Sequence, residues 1–307
     1  MSLAFVFPGQ GSQSVGMLAE LAESYPIVKQ TYKEASDVLG YDLWKLVSEG
    51  PAEELNQTHI TQPALLAAGI AVWRVWQEKG GAQPDIMAGH SLGEYTALVA
   101  SGAMSFADGI ALVAERGKYM QEAVPAGEGG MAAILGLDDD KVIALCEEAA
   151  NGDVVSAVNF NSPGQVVIAG QAAAVDRAIE LAKEAGAKRA LKLAVSAPSH
   201  CALMKPAAER LAQKLMTIDI QAPAIPVINN ADVEAPSDAA AIRDALVRQL
   251  YSPVRWVESV EKMSTEGVDK LIECGPGKVL VGLNKRIVKT MSAAAIFDTA
   301  TLDAALA

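Results

Sequence analysis

A serine set between two glycines, in the stretch Gly89-His90-Ser91-Leu92-Gly93, constrains the chain more than any other feature of its sequence. The apolar run at 86–88 predicts a buried strand before it, and residues 92–100 predict a helix after it. A G-x-S-x-G sequence between a strand and a helix is typical of a nucleophile elbow, a crowded turn that needs small residues beside the serine. Five residues can match by chance, so the flanking strand and helix are what favour a catalytic serine. Its hydroxyl would lie near helix N–H groups that can stabilise an oxyanion.

A serine hydroxyl attacks only when a neighbouring base takes its proton, and the chain offers three histidines. His90 is adjacent to the serine and therefore poorly placed to reach its oxygen, and His59 lies in a polar stretch typical of a surface. His200 follows a predicted strand at a loop-to-helix junction, where catalytic groups often collect, so it is the leading base. Cys201 is a rival nucleophile, ranked lower because sequence neighbours on a helix point apart.

The composition indicates a globular protein with a substantial core. The chain has 307 residues, of which 51% are hydrophobic, and a formal net charge of -12, which argues against nucleic acid or an anionic membrane as the main partner.

Three cysteines without a C-x-x-C pair indicate neither a disulfide framework nor a zinc site, and we expect no metal. The first residues lack the basic region of a signal peptide, and the apolar run at 64–73 is too short to span a bilayer. We therefore expect a cytoplasmic protein.

Strands alternate with helices along most of the chain, which predicts an α/β fold with a largely parallel sheet covered by helices on both faces. In the middle of the chain the order becomes β-α-β-β-α-β, which is typical of a ferredoxin-like unit. We predict a hydrolase-like catalytic core, formed by residues 1–125 and 197–307, and an inserted ferredoxin-like α+β subdomain at 126–196. The patterns within these parts predict an apolar helix at 61–77, strands at 154–158 and 189–195, a turn at 161–164 and a helix at 201–216.

A glycine-rich loop, Pro8-Gly9-Gln10-Gly11-Ser12-Gln13, follows the first predicted strand. Such a loop can cradle phosphate, although neither G-x-G-x-x-G nor a Walker lysine is present here. The alternative is that the glycines let the backbone and Gln10 approach a reaction centre. The loop by itself leaves both interpretations open.

Taken together and in order, the motifs resemble those of the acyltransferase superfamily, and within it the malonyl-coenzyme A:acyl carrier protein transacylases of bacterial fatty acid synthesis. The resemblance covers nearly the whole chain. The stretches that carry it are 7–13, 89–94, Arg116-Gly117, 159–165, 198–200 and 275–277.

This resemblance implies a role for each matching residue. Ser91 would be the nucleophile that takes the acyl group as an ester, and His200 its general base and later its acid. The backbone carbonyl of Gln249 would orient the histidine, in place of an aspartate. Backbone N–H groups of Gln10 and Leu92 would form the oxyanion hole.

The resemblance also implies that Arg116 holds the malonyl carboxylate. Burying that charge unpaired would be costly, and arginine can grip a carboxylate through two parallel hydrogen bonds. On sequence grounds alone, a helix arginine is more often solvated. The inserted subdomain is expected to wall the cleft and shelter the acyl-enzyme from water, with Asn159 and Asn161 in the lining as substrate-binding residues.

The expected partners are malonyl-CoA and acyl carrier protein, with no cofactor because the coenzyme A thioester is itself a substrate, and we expect a monomer. Acyl carrier protein is acidic, so this acidic chain would need a local basic patch. The two candidates are Lys188-Arg189-Lys192 and Lys285-Arg286-Lys289. In the acyltransferase domains of polyketide synthases, which this chain resembles, the residue before the histidine helps to select the extender unit. That residue is the small Ser199 here, so the resemblance does not imply that bulkier malonyl derivatives are excluded.

Two other functions share some of these features. A serine hydrolase or thioesterase would use the same elbow and base, and would release free malonate. A non-catalytic acyl-binding or scaffold subunit would not be acylated at all, although the presence of Ser91, His200 and Arg116 argues against it.

Overall fold

The computed structural model describes residues 2–195 and 197–307, and five parallel strands form the sheet at its centre. The order across this sheet is β7-β2-β1-β8-β9, and every neighbouring pair is parallel. Parallel strands are buried on both faces, which is why the central ones are short apolar runs. In chain order the strands are β1 (Ser2–Phe7), β2 (Ile86–Gly89), β3 (Gly129–Leu135), β4 (Val155–Ser162), β5 (Gln165–Gln171), β6 (Arg189–Lys192), β7 (Val227–Ile228), β8 (Val268–Cys274) and β9 (Ser292–Ile296).

The remaining strands form a second, antiparallel sheet in the order β4-β5-β3-β6. Two backbone hydrogen bonds join its edge strand to the other part of the chain, because Val254 donates to Val158 and Phe160 donates to Val254. The junction lies beside β4, so the end of this strand is fixed against the parallel-sheet region.

Helices cover both sheets, and the longest of them, α5, is almost wholly buried. A helix that is apolar all round has to be enclosed by other elements. No helix in the described ranges combines the length and apolar character needed to cross a membrane. The helices are α1 (Ala19–Ser24), α2 (Pro26–Leu39), α3 (Leu43–Glu49), α4 (Ala52–Leu55), α5 (Thr58–Glu78), α6 (Leu92–Ala100), α7 (Phe106–Glu122), α8 (Asp139–Ala150), α9 (Ala172–Glu184), α10 (Lys205–Leu215), α11 (Ala239–Gln249), α12 (Trp256–Thr265), α13 (Val279–Ile287) and α14 (Thr299–Leu306).

The predicted mixed α/β class, with helices covering a parallel sheet, is confirmed, but several predicted boundaries are wrong. Helix α5 starts three residues before the predicted 61, and its burial outweighs the helix-breaking tendency of Pro63 inside it. Strand β4 continues through the predicted turn at 161 because its last residues pair with β5, which leaves only Pro163 and Gly164 to turn the chain.

Two further boundaries and two elements also differ from prediction. Strand β6 ends at Lys192 rather than at 195, and Ser196, the last residue of the predicted subdomain, lies outside the described residues. The helix predicted at 201–216 opens with a 3₁₀ turn at Ala202–Met204, and α10 begins at Lys205 with Pro206 in its first turn, where the N–H that proline lacks has no helical partner. Strand β9 and helix α14 are additional elements that the sequence patterns did not indicate.

The turn between β2 and α6 brings helix and strands into very close contact. A Cβ on Gly89 would lie 1.8 Å from the carbonyl carbon of Gly93, and a Cβ on Gly93 would lie 2.0 Å from the carbonyl oxygen of Phe7. Contacts this short to backbone atoms cannot be relieved by a side-chain rotation. Glycine at both positions therefore lets the first turn of α6 pack directly on the ends of β1 and β2, as an elbow requires.

We predict that Gly93→Ala lowers the free energy of unfolding by ~3 kcal/mol or more, because the added methyl group overlaps backbone that cannot move independently. The matched control is Gly282→Ala in α13, where an added Cβ has no heavy atom within 4 Å. That change should raise the free energy of unfolding by ~0.5–1 kcal/mol through helix propensity. Chemical denaturation measures both, and equal effects would contradict the packing argument.

Candidate active site

The serine of the elbow lies at the tip of the turn, in a strained backbone conformation. Ser91 has φ 51° and ψ -107°, outside the helix that begins at the next residue. Its backbone N–H donates to Asn230 Oδ1 at 2.7 Å, and Asn230 Nδ2 donates back to the carbonyl of Gly89 at 2.7 Å. The Asn230 side chain thus bonds to the backbone on both sides of the turn and helps to stabilise the strained conformation of Ser91.

The structure brings the predicted nucleophile and the predicted base together. Ser91 Oγ lies 2.7 Å from His200 Nε2, and His200 Nδ1 lies 2.7 Å from the backbone carbonyl of Gln249. A carbonyl only accepts, so Nδ1 carries the ring proton and Nε2 presents a lone pair to the serine hydroxyl. The predicted backbone contact of Gln249 is therefore present, and the serine, imidazole and carbonyl form a chain suited to proton removal.

Burial keeps this imidazole neutral. His200 is only 3% exposed, and loss of solvation lowers its pKa to about 3, with the nearby positive charge of Arg116 acting in the same direction. Cys201 is a poor nucleophile, because burial raises its pKa to about 11 and so disfavours the reactive thiolate. Its thiol donates instead to the carbonyl of Pro198. His59 contacts Gln121 rather than the serine.

The predicted carboxylate ligand, Arg116, is fully buried on α7 rather than solvated. Its side chain is 1% exposed and donates to Ser91 Oγ at 3.2 Å, to Gln62 Oε1 at 2.8 Å and to Gln249 Oε1 at 3.0 Å. All three acceptors are neutral oxygens, and among the described residues the guanidinium Nε has no hydrogen-bond partner. The site therefore holds a positive charge that lacks a direct counter-ion at the nucleophile.

Sequence reasoning missed the side chains that surround this charge. Glu94 is buried and accepts from the backbone N–H of Asn230 and from Gln249 Nε2, both at 2.8 Å. Gln62 lies on α5 and contacts the guanidinium from the opposite side. The glutamate at the end of 89–94 and the glutamine before Pro63 were visible in the sequence, but nothing local to either residue indicates that it turns inward.

Two backbone donors lie open near the serine. Within the described ranges, neither the N–H of Gln10 nor that of Leu92 has a hydrogen-bond acceptor, although both residues line the same cavity as Ser91. Leu92 opens α6, so its N–H is one of the free donors at a helix N-terminus. Two free N–H groups beside a nucleophile are the components of an oxyanion hole.

The cavity above the serine has a volume of about 110 Å³ and lies between the two sheets. Asn159 lines it, and the Oδ1 atom of this residue is buried without a partner in the described structure. Asn161 lies behind it, where its Oδ1 is 2.8 Å from His90 Nε2. The other side chains of the lining are Gln10, Thr58, His90, Leu92, Arg116, Met120, Met131, Leu193, Val195, Ala197, Ser199 and His200.

This arrangement can attack an acyl carbonyl, stabilise the resulting oxyanion and pair with a carboxylate. A serine with a neutral base supplies the nucleophile, two N–H groups supply oxyanion contacts, and the guanidinium supplies a fixed positive charge. These components together favour acyl chemistry on a small acidic acyl group.

The sequence and the fold are similar to those of known acyltransferases. An acyl transferase domain model matches residues 4–302. A malonyl CoA-acyl carrier protein transacylase of Salmonella typhimurium is 65% identical over 303 residues, which cover 99% of this chain and 98% of that protein. The crystal structure of an acyl carrier protein S-malonyltransferase from Vibrio cholerae superimposes with a TM-score of 0.97 at 65% identity and covers 99% of both chains. A malonyl-transacylase solved in complex with its type II PKS acyl-carrier protein gives a TM-score of 0.99 at 63% identity and covers 100% of this chain and 99% of its own.

We predict that the ring of His200 stays neutral between pH 8 and pH 5. NMR spectra of the ring, assigned by the signal lost in His200→Gln, should show no titration across this range. The folded-state pKa lies below the unfolded value of ~6.5, so the unfolded chain binds this proton first as the pH falls. The free energy of unfolding should therefore decline as the pH falls from the unfolded pKa towards pH 3, and His200→Gln should lack this part of the decline. A midpoint near 6.5 in the folded protein would contradict the burial argument.

Proposed function

We propose that this chain, which belongs to the acyl transferase domain family, transfers a malonyl group from malonyl-CoA to the phosphopantetheine thiol of acyl carrier protein. It is a malonyl-CoA:acyl carrier protein transacylase, and the transfer supplies extender units for fatty acid synthesis. The observation that carries the proposal is the buried Arg116 guanidinium, 3.2 Å from Ser91 Oγ and bound to neutral oxygens. A neutral acyl group would leave that charge without a partner in the cavity, whereas a malonyl group brings a carboxylate to it.

The first half-reaction acylates the serine. Ser91 Oγ attacks the thioester carbonyl as its proton passes to His200 Nε2, and the backbone N–H groups of Gln10 and Leu92 stabilise the oxyanion that forms. The intermediate collapses with cleavage of the carbon–sulfur bond, and the imidazolium returns the proton to the departing coenzyme A sulfur. The Gln249 carbonyl holds Nδ1–H throughout and stabilises the imidazolium.

The second half-reaction runs through the same groups in reverse. The thiol of the carrier protein gives its proton to His200, and its sulfur attacks the serine ester. Collapse breaks the ester bond, and Ser91 Oγ takes the proton back from the imidazolium. One base therefore serves both halves, as a ping-pong transfer requires.

The substrate carboxylate contributes to the chemistry as well as to binding. The charge on Arg116 is one cause of the lowered pKa of His200. A malonyl carboxylate bound to the guanidinium offsets that charge and makes the imidazole a stronger base when the correct acyl group is present. The malonyl group thus raises the reactivity of the Ser91–His200 pair that attacks it.

Shelter of the acyl-enzyme comes from the antiparallel sheet. Met131 and Asn159 line the cavity from this sheet, and Asn161 bonds to His90 at its edge. We assign substrate contact to Asn159, whose unpartnered Oδ1 can accept a hydrogen bond, and a supporting position beside the substrate to Asn161.

We assign this antiparallel unit to a ferredoxin-like subdomain at 126–196, inserted into a hydrolase-like core of residues 1–125 and 197–307. The strand order β4-β5-β3-β6 and the intervening helices α8 and α9 support that description. The three cysteines are free thiols, which is consistent with a reducing cytoplasm. No cofactor enters the mechanism, and the transferase is proposed to act as a monomer.

Acid quench with malonyl-labelled malonyl-CoA tests this function. We expect stable label on the enzyme without carrier protein, loss of that label to carrier protein when it is added, and no label on Ser91→Ala. Free malonate as the main product would instead indicate a hydrolase. An unlabelled wild-type enzyme would indicate a non-catalytic binding protein.

We predict that Arg116→Ala lowers kcat/KM for malonyl-CoA by ~100-fold or more and removes the preference over acetyl-CoA. Arg116→Lys should recover only part of the preference, because an ammonium lacks the planar fork that matches a carboxylate. Arg177→Ala, which disrupts an ion pair with Asp153 outside the cavity lining, is the control and should leave the preference intact. An Arg116→Ala enzyme that still prefers malonyl-CoA would exclude the carboxylate contact.

We predict that carrier protein docks on Lys285 and Arg286, both exposed at the end of α13. Within the described chain these residues form no ion pair, whereas Lys192 of the other basic stretch lies 2.7 Å from Asp176. Lys285→Glu with Arg286→Glu should lower kcat/KM for carrier protein by ~10-fold through charge repulsion, with little change for free pantetheine as acceptor. Lys188→Glu with Arg189→Glu is the comparison, and equal rates for both double variants and wild type would exclude both surfaces.

A further inference from the structure

One buried acid lies beside the site without a part in the mechanism above. Glu94 is 1% exposed, and its Oε2 accepts from the backbone N–H of Asn230 and from Gln249 Nε2. It is separated from the guanidinium of Arg116 by one side chain, the amide of Gln249, which contacts both.

The amide between these two charges has only one orientation that satisfies both. A guanidinium only donates hydrogen bonds, so the side facing Arg116 has to be Oε1, at 3.0 Å. An ionised carboxylate only accepts, so the side facing Glu94 has to be Nε2, which also donates to the backbone carbonyl of Ser91 at 3.0 Å. Reversing the amide would face donor with donor at Arg116 and acceptor with acceptor at Glu94.

Burial and hydrogen bonding act in opposite directions on this carboxylate. The pKa of Glu94 is raised to about 7, because loss of solvation outweighs the bonds from Asn230 and Gln249 and the charge of Arg116, which favour the ionised form. Asp232 is the other charged group that acts on it, and it disfavours ionisation. The hydrogen bonds from Asn230 and Gln249 therefore limit the rise in this pKa at a fully enclosed position.

We propose that Glu94 is a positioning residue, which fixes the amide of Gln249 in one orientation and thereby aims the guanidinium of Arg116 at the acyl group on Ser91. The same contact secures the residue whose backbone carbonyl orients His200. This inference rests on the proposed function, because it concerns the selection of a malonyl over a neutral acyl group. Glu94, at the end of the 89–94 motif, thus acts on the substrate through two side chains, those of Gln249 and Arg116.

The physical reason is that no carboxylate among the described residues bonds directly to the guanidinium. If the acceptor at position 94 is removed, Gln249 Nε2 keeps its contact with the carbonyl of Ser91 but loses its shorter bond to the carboxylate, so the amide is held less firmly. Its Oε1 then no longer has one fixed position at Arg116, and the guanidinium can shift. A shift of ~1 Å in a group that positions substrate costs on the order of 10²-fold in rate.

The test compares kcat/KM for malonyl-CoA with kcat/KM for acetyl-CoA in Glu94→Met, which keeps the length of the side chain and removes the acceptor. We expect the malonyl preference to fall by ~10- to 100-fold, with most of the loss in the malonyl reaction. Glu94→Gln retains an acceptor oxygen and should recover part of the preference. The matched control is Glu273→Met, because Glu273 is also wholly buried but binds the start of α13 through the N–H of Val281. It should lose stability and keep the preference.

A second variant separates positioning from a general loss of folding. Gln249→Met removes the amide while retaining the backbone carbonyl, so it should lose the malonyl preference to a similar extent, and the Glu94→Met/Gln249→Met double variant should lose little more. An unchanged preference in Glu94→Met, or losses that multiply in the double variant, would overturn the proposal. If Glu94→Met does not fold, an unchanged preference in Gln249→Met overturns it alone. Wild-type enzyme that transfers no malonyl group would instead show that the proposed function itself is wrong.

Discussion

Burial of the Arg116 guanidinium is the constraint on which the arrangement of the site depends. A positive charge taken out of water is costly unless polar groups surround it, and here the directly bonded groups are neutral oxygens of Gln62, Ser91 and Gln249. These residues come from α5, the turn before α6, and the end of α11. The three elements must therefore meet at one point.

The same charge controls the chemistry of its neighbours. It lies one hydrogen bond from the serine and adds to the effect of burial in lowering the pKa of His200, so the free enzyme holds a neutral imidazole against an unreacted hydroxyl. In the proposed function, a substrate carboxylate would provide the counter-ion that the described chain does not place beside the nucleophile. Selection of the acyl group and the strength of the base would then both depend on the charge of Arg116.

Local sequence patterns predicted the parts of the molecule that local forces determine. The strand, turn and helix around Ser91 follow from an apolar run, small residues and a helical segment, and they appear almost as predicted. The family motifs also indicated which histidine and which arginine would meet the serine, although a helix arginine taken by itself is more often solvated.

The remaining features depend on contacts between distant segments, which no local pattern records. The inward side chains of Glu94 and Asn230 are fixed by partners more than a hundred residues away in sequence. Asn161 was expected in a turn, but it lies in β4 because the end of this strand pairs with β5. Strand β9 is a short alanine-rich segment with weak strand propensity, and it exists because β8 offers it a parallel edge.

A crystal structure of the enzyme trapped as its malonyl-serine ester would show whether Arg116 binds the acyl carboxylate. We expect the free carboxylate of the ester to lie within hydrogen-bond distance of the Arg116 guanidinium, with the amide of Gln249 still between Arg116 and Glu94. A carboxylate that points to solvent, or that binds another group while Arg116 keeps its contacts to neutral oxygens, would contradict this expectation.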